Sequence, residues 1–149
     1  MANIRTATEA DIPRILELYR QLAFEPAAEA PVPRNEDCRR VIDAIDSTPG
    51  QALLVIEEDG AVVGTAMLVI VPCLSHDATP WAAVENVVVD EAYRRRGIGK
   101  ALMEEIAARC RAESCYKIQL LSHNRRPEAH RFYESLGYET SAQGFRLYL

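Results

Sequence analysis

The sequence predicts a single mixed α/β domain in which one sheet carries helices on both faces. Three observations lead there. The chain has 149 residues, the size of one compact domain, with 48% hydrophobic and 26% charged residues, enough to build a core. Apolar runs of strand length alternate with segments of helical period, in the order β-α-α-β-β-β-α-β-α-β. Asp59-Gly60 sits between two alternating apolar runs, a strong hairpin signal.

Taken in order, Ile4 to Ala7 reads as a first strand, followed by a helix that Thr8 and Asp11 cap as a pair. Ile12, Ile15, Leu16 and Tyr19 recur there at helical spacing. Pro26, Pro31 and Pro33 make Phe24–Arg34 a loop, and helical spacing resumes over Asp37–Asp46 until Pro49-Gly50. Strands are expected at Ala52–Glu57, Ala61–Val71 and Trp81–Val89, the last after a loop with Pro72 and Pro80. A helix over Gly99–Arg111 has Ile98, Leu102, Ile106 and Cys110 on one side. Tyr116–Ser122 reads as a strand and Pro127–Leu136 as a helix capped by Gly137. Phe145–Leu149 reads as a last strand.

Several function classes recede on composition. A formal charge of -5 argues against a general nucleic-acid binder. No apolar run approaches the roughly 20 residues that span a bilayer, and the N-terminus lacks a signal-peptide profile. Cys38, Cys73, Cys110 and Cys115 form no C-x-x-C pair and read as reduced packing residues of a cytoplasmic protein. No His/Cys/Asp grouping has metal-ligand spacing, so no metal is expected.

Positive charge is instead local: Arg94, Arg95, Arg96 and Lys100 lie within one short segment, which points to a small anion. That segment joins a buried-type strand (Val84, Val87, Val88, Val89) to an amphipathic helix. Amides at a helix start have no intrahelical partner and lie at the positive end of its dipole, where a pyrophosphate fits. Gly97 and Gly99 permit close backbone approach. A dinucleotide fingerprint fails, because Leu102 stands where its third glycine is needed. A Walker A loop fails at Arg95 and Ala101. The pattern R/Q-x-x-G-x-G/A is met by Arg94-x-x-Gly97-x-Gly99.

The stretch from Ala83 to Met103, with this cradle at its centre, resembles the coenzyme-binding core of the GNAT superfamily of N-acetyltransferases. Ala129-His-Arg-Phe-Tyr-Glu-Ser-Leu-Gly-Tyr138 resembles the superfamily's second signature, A-x-x-F-Y-x-x-x-G-F/Y. With the element order, the resemblance covers essentially the whole of residues 1–149 as a single N-acetyltransferase domain. It implies a GNAT-like fold: a mixed, mostly antiparallel twisted sheet of about six or seven strands, splayed by a bulge at the coenzyme site. It implies acetyl-CoA as co-substrate, its pantetheine arm paired to the backbone of Val87, Val88 and Val89. The pyrophosphate would be held by Arg94, Arg95, Arg96, Gly97, Ile98, Gly99 and Lys100. Tyr133 matches the tyrosine proposed to protonate the departing thiolate. Many relatives carry an asparagine where this chain has Arg126, and Asn124 is the candidate replacement.

Acetyl transfer to an amine needs a neutral amine, a stabilised oxyanion and a proton for the leaving thiolate. An alkyl ammonium has a pKa near 10.4, so a base must remove its proton, directly or through water. Glu85 is the candidate, its pKa expected to rise with partial burial; His76, His123 and His130 are the alternatives. A backbone N–H near Val87 or Val88 would meet the oxyanion. Phe24–Arg34 and Pro72–Trp81 are expected to line the acceptor pocket, with Glu25, Glu29, Asp77 and Trp81 suited to a cationic amine. The preferred acceptor is a small primary amine, such as an amino sugar, polyamine or amino-acid derivative. A protein lysine or N-terminus comes second. A weakly catalytic acetyl-CoA sensor and a nucleotide-phosphate binder are the readings outside that enzyme class. Homodimers are common among similar proteins, although no residue pattern here marks an interface.

Overall fold

A computed structural model of the chain describes residues 2–24 and 31–149. The described chain forms two compact units, Met1–Gln119 and Leu120–Leu149.

The first unit is built on a sheet of strand order β1-β2-β3-β4-β5. Its strands are β1 (Asn3–Thr6), β2 (Gln51–Glu58), β3 (Ala61–Val71), β4 (Trp81–Val89) and β5 (Ile118–Leu120). β1 with β2, β2 with β3, and β3 with β4 all pair antiparallel. Leading into β5, Tyr116 N–H bonds Pro80 O at 3.0 Å and Ala82 N–H bonds Lys117 O at 3.0 Å. Partners that advance together along both segments have the slanted pattern of parallel chains. The hairpin at Asp59-Gly60 forms as expected, with both residues at positive φ (52° and 80°).

Strand alternation decides what each face buries. Leu53 and Val55 of β2, Val62 of β3 and Val88 of β4 join Ile15, Leu18 and Ile42 in one cluster. Those helical residues belong to α1 (Ile12–Arg20) and α2 (Asn35–Ser47), which pack on that face. Leu54 and Ile56 point the other way and are fully buried. The helix α4 (Ile98–Ala112) packs on β3 and β4 and buries Leu102, Met103 and Ile106. Helices therefore cover both faces. Thr8 and Asp11 do cap the first helical segment: Thr8 N–H donates to the Asp11 carboxylate at 2.7 Å.

Two strand expectations need correction. The sheet has five strands, not six or seven, because Phe145–Leu149 joins no ladder. Its apolar alternation fits a strand, but a strand needs a hydrogen-bonding partner, and Phe145, Leu147, Tyr148 and Leu149 are exposed. The strand expected over Tyr116–Ser122 shortens to Ile118–Leu120. The second unit contains α5 (Pro127–Ser135), ended as expected at Gly137, whose φ is 90°.

Candidate active site

The site begins at an irregularity in β4. Met67 of β3 faces Glu85, and Thr65 faces Val88, so Ala66 alone stands opposite Asn86 and Val87. Two residues against one is a β-bulge, which takes backbone groups out of the ladder and bends the strand. Asn86 absorbs the kink with φ 52°, a conformation asparagine tolerates better than most residues. Its side chain is hydrogen-bonded to Tyr19, a largely buried phenol whose pKa burial raises. Gly64 lets the strands approach here: a Cβ on it would lie 3.0 Å from Val88 O and 2.9 Å from Ile56 Cγ2. The bulge expected from the family resemblance is thus present, centred on Asn86.

Beyond the bulge, Asp90 organises the turn into α4. Its N–H bonds Val63 O at 2.8 Å, and its carboxylate accepts Ala92 N–H at 2.9 Å. Arg14 of α1 ion-pairs with the same carboxylate and donates through Nε to Val62 O at 2.9 Å. The Ala92 N–H and then Arg14 hold the Asp90 carboxyl below its ordinary range. Glu91 N–H is taken by Gln21 Oε1 at 3.0 Å. The turn is braced on both sides.

The cradle residues divide their work. Arg94 Nε donates back to Val89 O at 3.0 Å, so it fixes the turn. Arg96 lies over the Tyr93 ring at 5.0 Å and 3.9 Å from Glu58. Lys100 is 3.7 Å from Glu104. Arg95, at φ 62°, has no ion pair among the described residues. Gly97 has φ 79°, and a Cβ there would meet nothing within 4 Å. The space above its backbone is open. Ala101 N–H bonds Gly97 O at 2.9 Å and starts the helical ladder. The amides of Ile98, Gly99 and Lys100 precede that first bond, at the positive end of a 15-residue helix. An open, amide-lined helix start of this kind accepts a pyrophosphate.

Glu85, in the same unit, is exposed rather than partly buried, because the bulge turns residues 85 and 86 outward together. The partial burial expected for it is not found.

In the second unit, Tyr133 of α5 packs against Phe132 (centroids 5.2 Å apart) and edge-on to Tyr138 (5.7 Å). Burial, then the neighbouring Tyr138, pushes its pKa up to about 12, further from neutral pH than an ordinary phenol. Asn124 is exposed and lines a polar recess with Ser122, His123 and Arg146. His130 lies 3.0 Å through Nε2 from His123 O. A carbonyl only accepts, so that nitrogen carries the proton and is not a base. His123 Nδ1 accepts Arg125 N–H at 3.1 Å.

Of the expected acceptor-lining segments, residues 25–30 lie outside the described residues, Glu25 and Glu29 among them. Pro72–Trp81 holds one helical turn, α3 (Ser75–Ala78), with His76, Asp77 and Ala78 all left-handed. The Trp81 ring already has a cation beside it, Lys117 Nζ at 5.5 Å. Among the described residues, no group of three or more His, Cys, Asp or Glu is disposed to hold a metal, and no helix is long and apolar enough to cross a membrane.

Sequence reasoning missed Asn86, Asp90 and Arg14. A signal for the first was present: Glu85-Asn86 places two consecutive polar residues in an otherwise apolar strand, which breaks the period and marks a bulge.

Comparison with known proteins agrees with this geometry. The acetyltransferase (GNAT) family profile matches residues 12–138. A glucosamine 6-phosphate N-acetyltransferase of Trypanosoma brucei brucei is 31% identical over 145 residues, 97% of this chain and 93% of that protein. The crystal structure of a Trypanosoma brucei acetyltransferase superposes with TM-score 0.84 at 30% identity, covering 100% of both chains. That of glucosamine-6-phosphate N-acetyltransferase from Arabidopsis thaliana gives 0.84 at 25% identity, over 99% of this chain and 98% of that one. The chain belongs to the GNAT acetyltransferase family and is an acetyl-CoA-dependent N-acetyltransferase.

Proposed function

We propose that the chain transfers the acetyl group of acetyl-CoA directly to the primary amine of a phosphorylated amino sugar. The observation that carries the transfer is that β4, after its bulge at Asn86, leads through the braced turn at Asp90 to the open helix start at Gly97. The backbone of Val87–Val89, which begins at the bulge opposite Ala66, takes the pantetheine arm. The amides from Arg95 to Lys100 take the pyrophosphate, with Arg94 and Arg96 supporting the turn. The relatives in Trypanosoma brucei brucei and Arabidopsis thaliana act on glucosamine 6-phosphate, and that likeness is what favours an amino sugar phosphate among small amines.

In this reading the neutral amine nitrogen attacks the thioester carbonyl carbon. A backbone N–H at Val87 or Val88 meets the oxyanion. The C–N bond forms as the C–S bond breaks, and the CoA thiolate takes a proton from Tyr133. The ammonium proton leaves through water to Glu85, whose exposure suits a water relay. Asn124 serves the coenzyme from its own unit.

The reading treats residues 1–149 as one N-acetyltransferase domain, supported by a family match that runs through the boundary at Gln119. It places the protein in the cytoplasm, supported by four free cysteines. It takes the protein as a homodimer, supported by the exposed apolar segment Phe145–Leu149.

A thiol-release assay over glucosamine 6-phosphate, glucosamine, a polyamine and a lysine peptide tests this. Fastest release is expected with glucosamine 6-phosphate. Preference for the peptide would overturn the acceptor. CoA binding without release by any amine would leave a sensor.

A further inference from the structure

The end of β4 is fastened to α1 by side chains that acetyl transfer itself does not touch. Tyr19 packs its ring against the core cluster that contains Val88, and its hydroxyl is hydrogen-bonded to the Asn86 side chain. Burial raises the Tyr19 pKa and the Asn86 bond opposes it, the sign of an amide N–H donating to the phenolic oxygen. Gln21, the residue that follows α1, bonds the turn twice. Its Oε1 accepts Glu91 N–H at 3.0 Å, and its side chain bonds the Asp90 carboxylate, a bridge for which an amide has both the acceptor and the donor. Arg14, about two helical turns earlier on the same side of α1, holds Asp90 as well. Each contact runs from the first helix to the far end of the fourth strand, so local chain geometry supplies none of them.

We propose that Tyr19 and Gln21 are positioning residues with divided roles in the reaction. Tyr19, through Asn86, aims the bulged backbone at the reacting carbonyl. Gln21, through Asp90 and Glu91, sets the turn that delivers the pyrophosphate amides. Neither side chain touches the reacting atoms.

The division follows from what each contact holds. Asn86 stands at φ 52°, and the orientation of its peptide plane decides where the Val87 N–H points. A left-handed residue keeps that conformation only where its surroundings hold it, and the Tyr19 bond holds the Asn86 side chain. Asp90 and Glu91 lie beyond the bulge, on the path to the first amides of α4, so Gln21 governs where those amides stand. An oxyanion contact exists only in the transition state and shows in kcat, whereas an anion held in the ground state shows in Kd. The first role rests on the reading that a backbone N–H at Val87 or Val88 meets the oxyanion, the second on the cradle at Gly97. A residue that merely stabilised the fold would shift neither constant selectively.

The test compares Tyr19→Phe and Gln21→Met with wild type by amide hydrogen exchange, calorimetry with CoA, and steady-state kinetics with the amine that wild type acetylates fastest. Asn86 is exposed, so water can replace its lost partner and Tyr19→Phe should fold. That variant is expected to speed exchange in residues 85–89 roughly three- to tenfold, the worth of one neutral hydrogen bond, and to leave β1 and α4 unchanged. A fall in kcat by a similar factor is expected, with the Kd for CoA intact. Gln21→Met keeps the length of the side chain and loses both polar contacts. Its Kd for CoA should rise roughly three- to tenfold, with kcat at saturation unchanged. Unchanged exchange at residues 85–89 overturns the role of Tyr19, and an unchanged Kd in Gln21→Met overturns that of Gln21. Faster exchange with an unchanged kcat would instead refute the oxyanion's place at Val87 or Val88. Exchange and calorimetry need no acceptor, so both arms stand whichever amine is the substrate.

Discussion

Arg14, on the first helix, is ion-paired with Asp90, the residue that closes β4 and caps the turn toward the cradle. One carboxylate thus joins α1, the end of a central strand and the start of the anion site. Asp90→Ala removes both the cap and the partner of a guanidinium. A loss of about 1–3 kcal/mol is expected in urea unfolding. Asp90→Asn keeps a capping oxygen and should lose less. Equal losses in the two variants would show that the cap contributes nothing.

Gly97 combines φ 79° with open space above its backbone. Aspartate tolerates that conformation better than most residues, so Gly97→Asp should fold. Its carboxylate would occupy the space assigned to the pyrophosphate. Loss of CoA binding in calorimetry with an unchanged far-UV spectrum is the expected result, and unchanged affinity would remove the cradle assignment.

Tyr133 carries its proton at neutral pH, as any phenol does, and burial pushes its pKa up further, to about 12. If it supplies the thiolate's proton, Tyr133→Phe should lower kcat by about 10²–10⁴-fold and leave the Kd for CoA nearly intact. The check is steady-state kinetics beside calorimetry. An unchanged kcat would confine this tyrosine to packing.

Acid stability has an origin far from the turn in sequence. Arg5 donates to the Asp11 carboxylate at 2.7 and 2.9 Å and, with the Thr8 hydrogen bonds, holds the Asp11 pKa at about 2 against an ordinary 3.8. A depressed carboxyl pKa contributes stability above the unfolded value and loses it as pH falls toward the folded one. The contribution is about 2 kcal/mol at neutral pH. Asp11→Asn should be less stable than wild type by about that amount at pH 7, with the gap closing between pH 4 and 2. A gap constant over that range would mean the pair does not titrate as described.

Local signals were the legible ones. The Asp59-Gly60 hairpin, the Thr8–Asp11 cap, the Gly137 stop and the strand–turn–helix at Arg94–Lys100 each depend on residues a few positions apart. Backbone sterics and hydrogen bonding over one turn decide such features, so sequence determined them, and with them the anion site and the family. What needed the tertiary structure depends on distant partners. The bulge exists because β4 gains a residue against β3, and Glu85 lost its expected burial to it. Arg94 and Arg96 read alike in sequence, yet one braces Val89 and the other rests on Tyr93. Phe145–Leu149 has the alternation of a strand but no ladder to join. Propensity is a property of a segment; pairing, burial and the use of a charge belong to whatever the fold sets beside it.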